Sequence, residues 1–332
     1  MPSRGKLESQ AMEDNGRSGP LRRAGAALAS GGKAAARSLL RLVAILLPLT
    51  VAMGLLDWCG AIRLLDRFLG PVTAIFGLPG SSVLALAAAA FIDIYAGVAA
   101  MAFLSLDMRA AVILAVICLV SHSLIAETAA MKKSGSSATK MVLLRLVCSL
   151  VAGWSTHLLL APGFGEAAFS VALGLGMAPL ARIPGAWAAR SGALSLDIAI
   201  IVMAVGALRI ILEEFGGMTF LSRVLAPFMR FLGLDPSDSL YWVSANVAGY
   251  PYCAGLLTGD IESGKIKRQD GDLFNHNALF CHALIEDTAF FMVLGLPMFW
   301  LVIPRLVMAT ALTWIERIRR RYVRRSFRAG VA

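Results

Sequence analysis

Two short polar segments recur in a chain that is otherwise mostly apolar. The segments His122–Ala129 (HSLIAETA) and His282–Ala289 (HALIEDTA) lie 160 positions apart and are identical at five of eight positions. Each has a histidine followed five residues later by a carboxylate, which is Glu127 in the first segment and Asp287 in the second. Imidazole and carboxylate groups exchange protons and bind cations. The two segments therefore predict a proton or cation site.

Three interpretations of these four side chains remain open. In the first, they form a proton or cation site where two halves of the chain meet. In the second, they only lock the helix bundle by bonding backbone groups or the arginines Arg145 and Arg305. In the third, all four ligate a divalent metal ion, although their spacing matches no recognised ligand motif. The arginines are expected either to neutralise the carboxylates or to extend to the membrane interface.

The five-residue spacing also predicts where each carboxylate points. Five residues correspond to about 140° around a continuous helix, so each carboxylate is expected on a different face from its own histidine. Glu127 and Asp287 would instead meet the histidine of the other segment across a pseudo-twofold axis.

Other polar side chains interrupt two apolar stretches. Asp93 and Tyr95 lie in the first stretch, and Asn246, Tyr250 and Tyr252 lie in the second. They offer donors, acceptors and aromatic faces to a small polar ligand. Alternatively, the tyrosines anchor the chain at the membrane interface and Asn246 satisfies backbone at a helix break. The candidate substrate- or ion-binding residues are Asp93, Tyr95, His122, Glu127, Thr128, Asn246, Tyr250, Tyr252, His282, Glu286, Asp287 and Thr288.

Other polar residues indicate structure rather than catalysis. Thr128 and Thr288 follow the two carboxylates and are expected to bond the backbone of their own helices. Ser155 and His157 lie close together in the sequence, but no acid nearby would orient the histidine as a base. The sequence therefore predicts neither an enzyme nor a bound cofactor.

Composition defines the elements that must position these residues. The chain has 332 residues, of which 58% are hydrophobic and 16% charged, and its mean hydropathy is +0.73. A water-soluble domain is about 25% charged, so an integral membrane protein is indicated. Apolar spans near the length of about 20 residues that crosses a bilayer as a helix fall at 42–59, 110–131, 141–161, 194–214, 272–294 and 298–316. Two interrupted stretches cover 82–105 and 239–258, and amphipathic segments cover 61–76 and 217–232.

Charge predicts the orientation of the chain. The net charge of +10 divides into +5 for residues 1–41, +7 for residues 317–332 and −2 for the residues between them. Basic clusters beside apolar spans favour the cytoplasm and anionic lipid headgroups, so both termini are expected there. Nucleic acid is not an expected partner, because the basic residues are not interleaved with aromatic ones.

The chain also repeats itself. Leu64–Pro79 aligns with Phe220–Asp235 at an offset of 156, with arginine, proline and glycine in register. If 82–105 enters the membrane and returns, each half crosses three times and the halves are inverted. If 82–105 crosses instead, eight crossings and parallel repeats result, and the lysines near Lys133 lie outside the cell, against the positive-inside tendency.

We therefore predict an all-α integral membrane protein with two inverted repeats. Each repeat has about three transmembrane helices, an interfacial helix and a re-entrant or broken helix. The predicted divisions are a flexible basic cytoplasmic tail (1–37), repeat 1 (38–161), a linker (162–192), repeat 2 (193–316) and a basic cytoplasmic tail (317–332).

The run from Ser121 to Arg145 resembles the nucleoside-recognition, or Gate-domain, membrane proteins of bacteria. The Gly77-Leu78-Pro79 turn and the polar break at Asp93 and Tyr95 are similar too. Related Gate domains occur in concentrative nucleoside transporters, in ferrous-iron transporters and in spore maturation proteins A and B. The second repeat departs from the pattern, because Asp287 replaces the glutamate and Glu286 precedes it.

The resemblance implies a multi-pass transporter or gate in the bacterial inner membrane. Its cargo would be a small polar solute or ion, because the domain name is shared by proteins of different cargo. The alternative is a non-transporting accessory or scaffold protein, which resembles the spore maturation proteins and acts through a second copy or a partner membrane protein.

Overall fold

The computed structural model describes residues 20–165 and 183–329, which form fourteen α-helices and contain no β-strand. The first seven helices are α1 (Pro20–Trp58), α2 (Ala61–Thr73), α3 (Ser82–Phe91), α4 (Ile94–Met101), α5 (Met108–Ser121), α6 (Leu124–Lys133) and α7 (Ala138–Leu159). The second seven are α8 (Ile183–Glu214), α9 (Gly217–Met229), α10 (Ser239–Val247), α11 (Tyr250–Glu262), α12 (Arg268–Ala278), α13 (Leu284–Val293) and α14 (Met298–Ala329). The all-α prediction is confirmed for this part of the chain.

The two sets of seven helices follow the sequence repeat. Helices α2 and α9 begin and end 156 positions apart, and helices α6 and α13 begin and end 160 positions apart. A glycine with a left-handed backbone precedes each amphipathic helix: Gly60 (φ 77°) precedes α2, and Gly216 (φ 69°) precedes α9. This conformation costs little without a Cβ, so both halves make the same turn into their amphipathic helix.

The predicted segment boundaries differ from the helix boundaries. Helix α1 begins at Pro20, so residues 20–37 are helical where the sequence predicts a flexible tail. Helix α8 begins at Ile183, inside the predicted linker, and α14 continues to Ala329 through most of the predicted C-terminal tail. Alanine-rich and arginine-rich sequence favours helix, which explains these extensions. The remaining parts of the predicted tails and linker, residues 1–19, 166–182 and 330–332, lie outside the described residues.

Five segments among the described residues are long and apolar enough to cross a membrane. They are Leu39–Trp58, Met108–Lys133, Ala138–Leu159, Trp187–Glu214 and Met298–Val323. The predicted sixth span, 272–294, does not form one long apolar helix, because it divides into α12 and α13 and α12 has the polar sequence RQDGDLFNHNA. Helices α5 and α6 are likewise separate, with His122 and Ser123 between them.

The two interrupted stretches each fold into a helical hairpin. In the first hairpin (α3 and α4), Gly97 packs so closely on α3 that a Cβ there would lie 2.7 Å from the Cβ of Ala89. In the second (α10 and α11), the hydroxyl of Tyr241 donates a hydrogen bond to Asp260 near the far end of the partner helix. Antiparallel packing of this kind is what the predicted entry and return of 82–105 requires.

Polar contacts define two ends of the molecule. At one end, which we call the basic end, Asp272 binds Lys140 at 2.9 Å and Arg320 at 2.5 Å. At the other end, which we call the opposite end, Arg109 donates to the backbone oxygens of His157 and Leu160.

The residues that flank the two hairpins in the sequence lie at different ends of the molecule. Ser81 and Phe103, which flank the first hairpin, line one cavity at the opposite end together with Ser105. Asp238 and Lys265, which flank the second hairpin, line one cavity at the basic end together with Arg317.

Helix α5 lies at the centre of the fold. Helix α5 belongs to the span Met108–Lys133. In the most apolar 18-residue stretch of this span 83% of the residues are buried, against 17–28% in the corresponding stretches of the other four spans. The outer helices therefore expose large apolar side chains, among them Leu143, Trp154 and Ile200. A surface of this composition suits lipid rather than water.

Candidate functional site

The two histidines that occupy equivalent positions in the repeats, His122 and His282, lie at helix breaks. Helix α5 ends at Ser121, His122 has an extended backbone (ψ 160°), and Ser123 has a left-handed one (φ 46°). Ala283, which follows His282, has the same φ of 46°. Ser123 and Ala283 are the two non-glycine residues with positive φ in the described part of the chain. Such strained positions persist only where the surrounding structure holds them.

Each helix break forms a backbone hydrogen bond with one of the two hairpins. The backbone N–H of Ser123 donates to the carbonyl of Ala89 on α3, and that of Ala283 donates to the carbonyl of Ala245 on α10, both at 2.8 Å. Ala89 and Ala245 are themselves related by the 156-residue offset. Each hairpin therefore supplies an acceptor that the broken helix lacks.

Two buried arginines satisfy the carbonyl groups that the breaks leave free. Arg145 donates to the backbone oxygens of Val120 (3.1 Å) and His122 (2.5 Å). Arg305 donates to those of Phe280 (2.8 Å) and His282 (2.7 Å). Both arginines are at most 1% exposed. They do not extend to the membrane interface, because the unpaired carbonyl groups and the carboxylates bind them inside the protein.

The histidines and Glu127 meet in a compact cluster. Glu127 Oε1 lies 3.1 Å from His122 Nε2 and 3.2 Å from His282 Nε2, and the two Nε2 atoms are 3.3 Å apart. We call these three residues the central triad. The prediction that Glu127 faces the other repeat's histidine agrees with this geometry. The prediction that it faces away from His122 is wrong, because the 140° relation applies only within a continuous helix.

The two carboxylates are not equivalent. The second oxygen of Glu127, Oε2, forms an ion pair with Arg145 at 2.8 Å. Asp287 Oδ2 lies 3.6 Å from both Arg305 Nη2 and His122 Nε2, beyond hydrogen-bond distance. All these groups are buried, and buried charges are stable only when paired. Glu127 thus contacts three side chains at close range, whereas Asp287 makes only longer contacts.

Half-buried polar groups lie on the side of the triad nearer the opposite end. Tyr95 donates its hydroxyl hydrogen to Glu286 Oε1 at 3.0 Å, which links α4 to α13. Asp93 caps α4 by accepting from the backbone N–H of Ala96 at 2.9 Å.

Fully buried groups lie on the side nearer the basic end. The ring of Tyr250 packs edge-on against His282 at 5.8 Å. Its hydroxyl donates to Asn275 Oδ1 at 2.7 Å and lies 3.0 Å from Ser134 Oγ. Neither Ser134 nor Asn275 is among the site residues predicted from the sequence, although the run Asn275-His276-Asn277 inside an otherwise apolar segment is a visible signal.

Four of the site residues predicted from the sequence lie outside the cluster, bond backbone groups or lack a side-chain hydrogen bond among the described residues. Asn246 accepts from the backbone N–H of Leu284 at 3.3 Å, and its amide donates to Trp242 and Cys281, so it satisfies broken backbone. Tyr252 lies at the surface, 36% exposed, with Arg209 over its ring at 5.0 Å, and so lies outside the buried cluster. The buried hydroxyls of Thr128 and Thr288 have no hydrogen-bond partner among the described residues, contrary to the expected bonds to their own helices.

Two groups of side chains among the described residues have the spacing to hold a metal ion. One is the central triad, and the other comprises Asp272, His276 and Glu316 at the basic end. In the second group the carboxylates are already neutralised by three cations, namely Lys140, Arg319 and Arg320.

Comparison with known proteins agrees with a membrane location. No protein-family model matches the chain, and no solved structure matches it. It is 28% identical over 276 residues to the uncharacterized membrane protein YvoD of Bacillus subtilis (strain 168), a match that covers 81% of this chain and 87% of the relative. Five apolar helices of membrane-spanning length support the same conclusion. The chain is a helical membrane protein.

Proposed function

We propose that this protein is a permease that moves a small polar solute or ion across the bacterial inner membrane by alternating access. The observation that carries the proposal is the central triad, because three buried polar side chains from both halves meet where two helices are broken. Ionisable groups inside a membrane are costly and usually serve transport or pairing. Discontinuous helices at a repeat interface are the usual binding elements of secondary transporters.

The depth of the triad supports this proposal. Helix α5 has 14 residues before the break and α6 has 10 residues after it. At about 1.5 Å per residue, the break then lies near the middle of the span.

Inverted repeats would explain how the site is reached from either side. One hairpin opens at the opposite end and the other at the basic end, as two halves of opposite orientation would require. Lysines and arginines, including Lys133, Lys140 and Lys265, are concentrated at the basic end, which we infer to be cytoplasmic. Both termini would then be cytoplasmic.

The layers around the triad support a conformation closed towards the basic end. On that side Tyr250, Asn275 and Ser134 are buried and joined by hydrogen bonds. On the other side Tyr95 and Glu286 are only partly buried. Separation of Tyr250 from Ser134, with closure around Tyr95 and Glu286, would expose the triad to the cytoplasm. The resemblance to Gate domains agrees with this cycle, and nucleosides remain one class of cargo to test.

Transport by purified protein in liposomes tests the proposal. We would measure uptake of labelled nucleosides, amino acids, carboxylates and divalent cations by the wild type, by His122→Gln and by Asp287→Asn. Both variants should lose uptake, whereas Tyr252→Phe, at the exposed surface, should retain it. Monodispersity and thermal unfolding of each variant in detergent are the controls.

The accessory or scaffold function predicts a different result. In that case neither the wild type nor the Tyr252→Phe variant would move any solute. A loss of folding in parallel with activity would assign His122 and Asp287 to structure instead, because removing one member of a buried ionic pair costs about 3–5 kcal/mol.

A further inference from the structure

We infer that His122, His282 and Glu127 form a binding site for one divalent first-row transition-metal ion. As an assignment of cargo, this inference rests on the proposed permease function. As a binding site, it rests only on the geometry of the triad.

Hydrogen bonds to the histidine rings orient lone pairs towards the centre of the triad. His122 Nδ1 lies 3.1 Å from the carbonyl oxygen of Leu119, and His282 Nδ1 lies 2.6 Å from that of Ala278. A carbonyl oxygen only accepts hydrogen bonds, so each Nδ1 carries the hydrogen and donates it. In its neutral form, each ring then presents a lone pair at Nε2. Metal-binding histidines are usually held in this way, with the other ring nitrogen bonded to a backbone carbonyl or carboxylate.

With both rings neutral, three acceptor atoms converge without a hydrogen between them. Both Nε2 lone pairs and Glu127 Oε1 lie within 3.1–3.3 Å of one another. Uncompensated acceptors at this separation repel one another in a buried site. A cation at the centre of the triangle would convert that repulsion into three favourable contacts.

The size of the triangle matches a transition-metal ion. Imidazole nitrogen and carboxylate oxygen bind Zn²⁺ at about 2.0–2.2 Å, and a tetrahedron with such bonds has edges of about 3.3–3.6 Å. The observed edges of 3.1, 3.2 and 3.3 Å lie at or just below the short end of this range, so small outward shifts of the three atoms would form one face of the coordination sphere. Two imidazoles favour zinc, iron, nickel or copper over calcium or magnesium, which prefer oxygen ligands only.

Two neighbouring side chains bear on the triad as a metal site. Arg145 binds Glu127 Oε2 at 2.8 Å, which fixes the carboxylate and leaves Oε1 for the ion. Asp287 Oδ2, 3.6 Å from His122 Nε2, is the nearest further donor.

The second histidine–carboxylate group provides the internal control. His276 Nδ1 also bonds a backbone oxygen, that of Asp272, at 2.5 Å. Asp272 and Glu316, however, already bind Arg320, at 2.5 and 2.8 Å. A cation there would have to displace arginine, so we expect no binding at this group. His276→Gln is therefore the matched control for His122→Gln and His282→Gln.

Binding is tested on the purified full-length chain after removal of metals with a chelator. Zn²⁺ affinity is measured by calorimetry, and bound zinc is counted by mass spectrometry. The wild type and His276→Gln should each bind one Zn²⁺ per chain, and His122→Gln, His282→Gln and Glu127→Gln should each bind at least tenfold more weakly. Wild-type protein without stoichiometric zinc would overturn the inference. So would tight binding that survives in monodisperse His122→Gln and is lost in His276→Gln.

X-ray absorption of the zinc-loaded wild type requires no variant. It should detect two imidazole ligands at about 2.0–2.1 Å. Absence of imidazole scattering would overturn the site even if the triad variants fail to fold.

Zinc uptake into liposomes separates this inference from the proposed function. Binding at the triad without uptake of zinc or any other solute retains the site and contradicts the permease. Uptake of another solute without zinc binding retains the permease and contradicts the metal site.

Discussion

The Nε2 atoms of His122 and His282 lie 3.3 Å apart, and the two residues occupy equivalent positions of the repeat. Equivalent residues of two halves can touch only near the axis that relates those halves. A movement of one half against the other that separates these two residues would change this distance. The contact joins the conformation of the whole bundle to the geometry of the triad.

The orientation of the chain can be tested with cysteine labelling. Lys133→Cys and Lys265→Cys, in a background without the five native cysteines, should react with a membrane-impermeant thiol reagent in inside-out vesicles and not in intact cells. The reason is that the basic end is expected in the cytoplasm. Ser105→Cys, exposed near the first hairpin, should show the reverse pattern. Strong labelling of position 133 from outside intact cells would contradict the inverted arrangement.

Replacing either buried arginine by lysine should destabilise the fold. In Arg145→Lys or Arg305→Lys, one ammonium replaces a planar fork that bonds two backbone oxygens at once. We expect a loss of about 2–4 kcal/mol, measured by unfolding in mixed micelles. Arg209→Lys is the control, because Arg209 is 40% exposed and its contacts with Glu213 and with the ring of Tyr252 lie at the surface. Equal stability of all three variants and the wild type would refute the assigned role of the guanidinium groups.

The close packing of the first hairpin predicts unequal effects of two glycine substitutions. In Gly97→Ala the new methyl would lie 2.7 Å from the Cβ of Ala89, so α3 and α4 must separate. We expect a loss of about 1–3 kcal/mol. Gly255→Ala, on α11, has no heavy atom within 4 Å of its new methyl and should leave stability unchanged or slightly raised. Thermal unfolding in detergent measures both, and a neutral Gly97→Ala would count against the tight hairpin.

Asp238, between the second amphipathic helix and the second hairpin, should make stability depend on pH. Burial raises the pKa of Asp238 from 3.8 to about 6. Between these values the folded chain binds more protons than the unfolded chain, so stability falls as pH rises through this range. Asp238→Asn removes the charge and should gain stability relative to the wild type between pH 4 and pH 7, as measured by melting temperature.

Asp235→Asn is the control for this pH effect. Hydrogen bonds from Ser237 lower the pKa of Asp235 below 3.8, so the carboxylate is ionised in both folded and unfolded chains above pH 5. Its stability difference from the wild type should therefore stay constant between pH 5 and pH 7. If the stability difference between Asp238→Asn and the wild type were also constant over this pH range, burial would not be raising the pKa of Asp238.

Much of the candidate site could be predicted because its residues occupy equivalent positions in the two repeats. Two histidines and two acids at one offset can be recognised in the sequence without coordinates, and duplication implies that their halves pack together. Tyr252 and Asn246 were less predictable. A tyrosine and an asparagine near a helix break suit a ligand site, the membrane surface or the backbone itself, and only their neighbours distinguish these roles.

Composition and periodic polar residues determine by themselves that this chain is a helical membrane protein built from a duplicated unit, because both properties depend on residue type and order alone. The tertiary structure decided that the helices break at the histidines. Ser123 and Ala283 are neither glycine nor proline, so no local signal marks their left-handed backbone. The breaks exist because distant groups, Arg145 and Arg305 together with the two hairpins, satisfy the backbone that the helices leave unpaired. The same breaks turn Glu127 towards both histidines, a relation that helical spacing alone would have excluded.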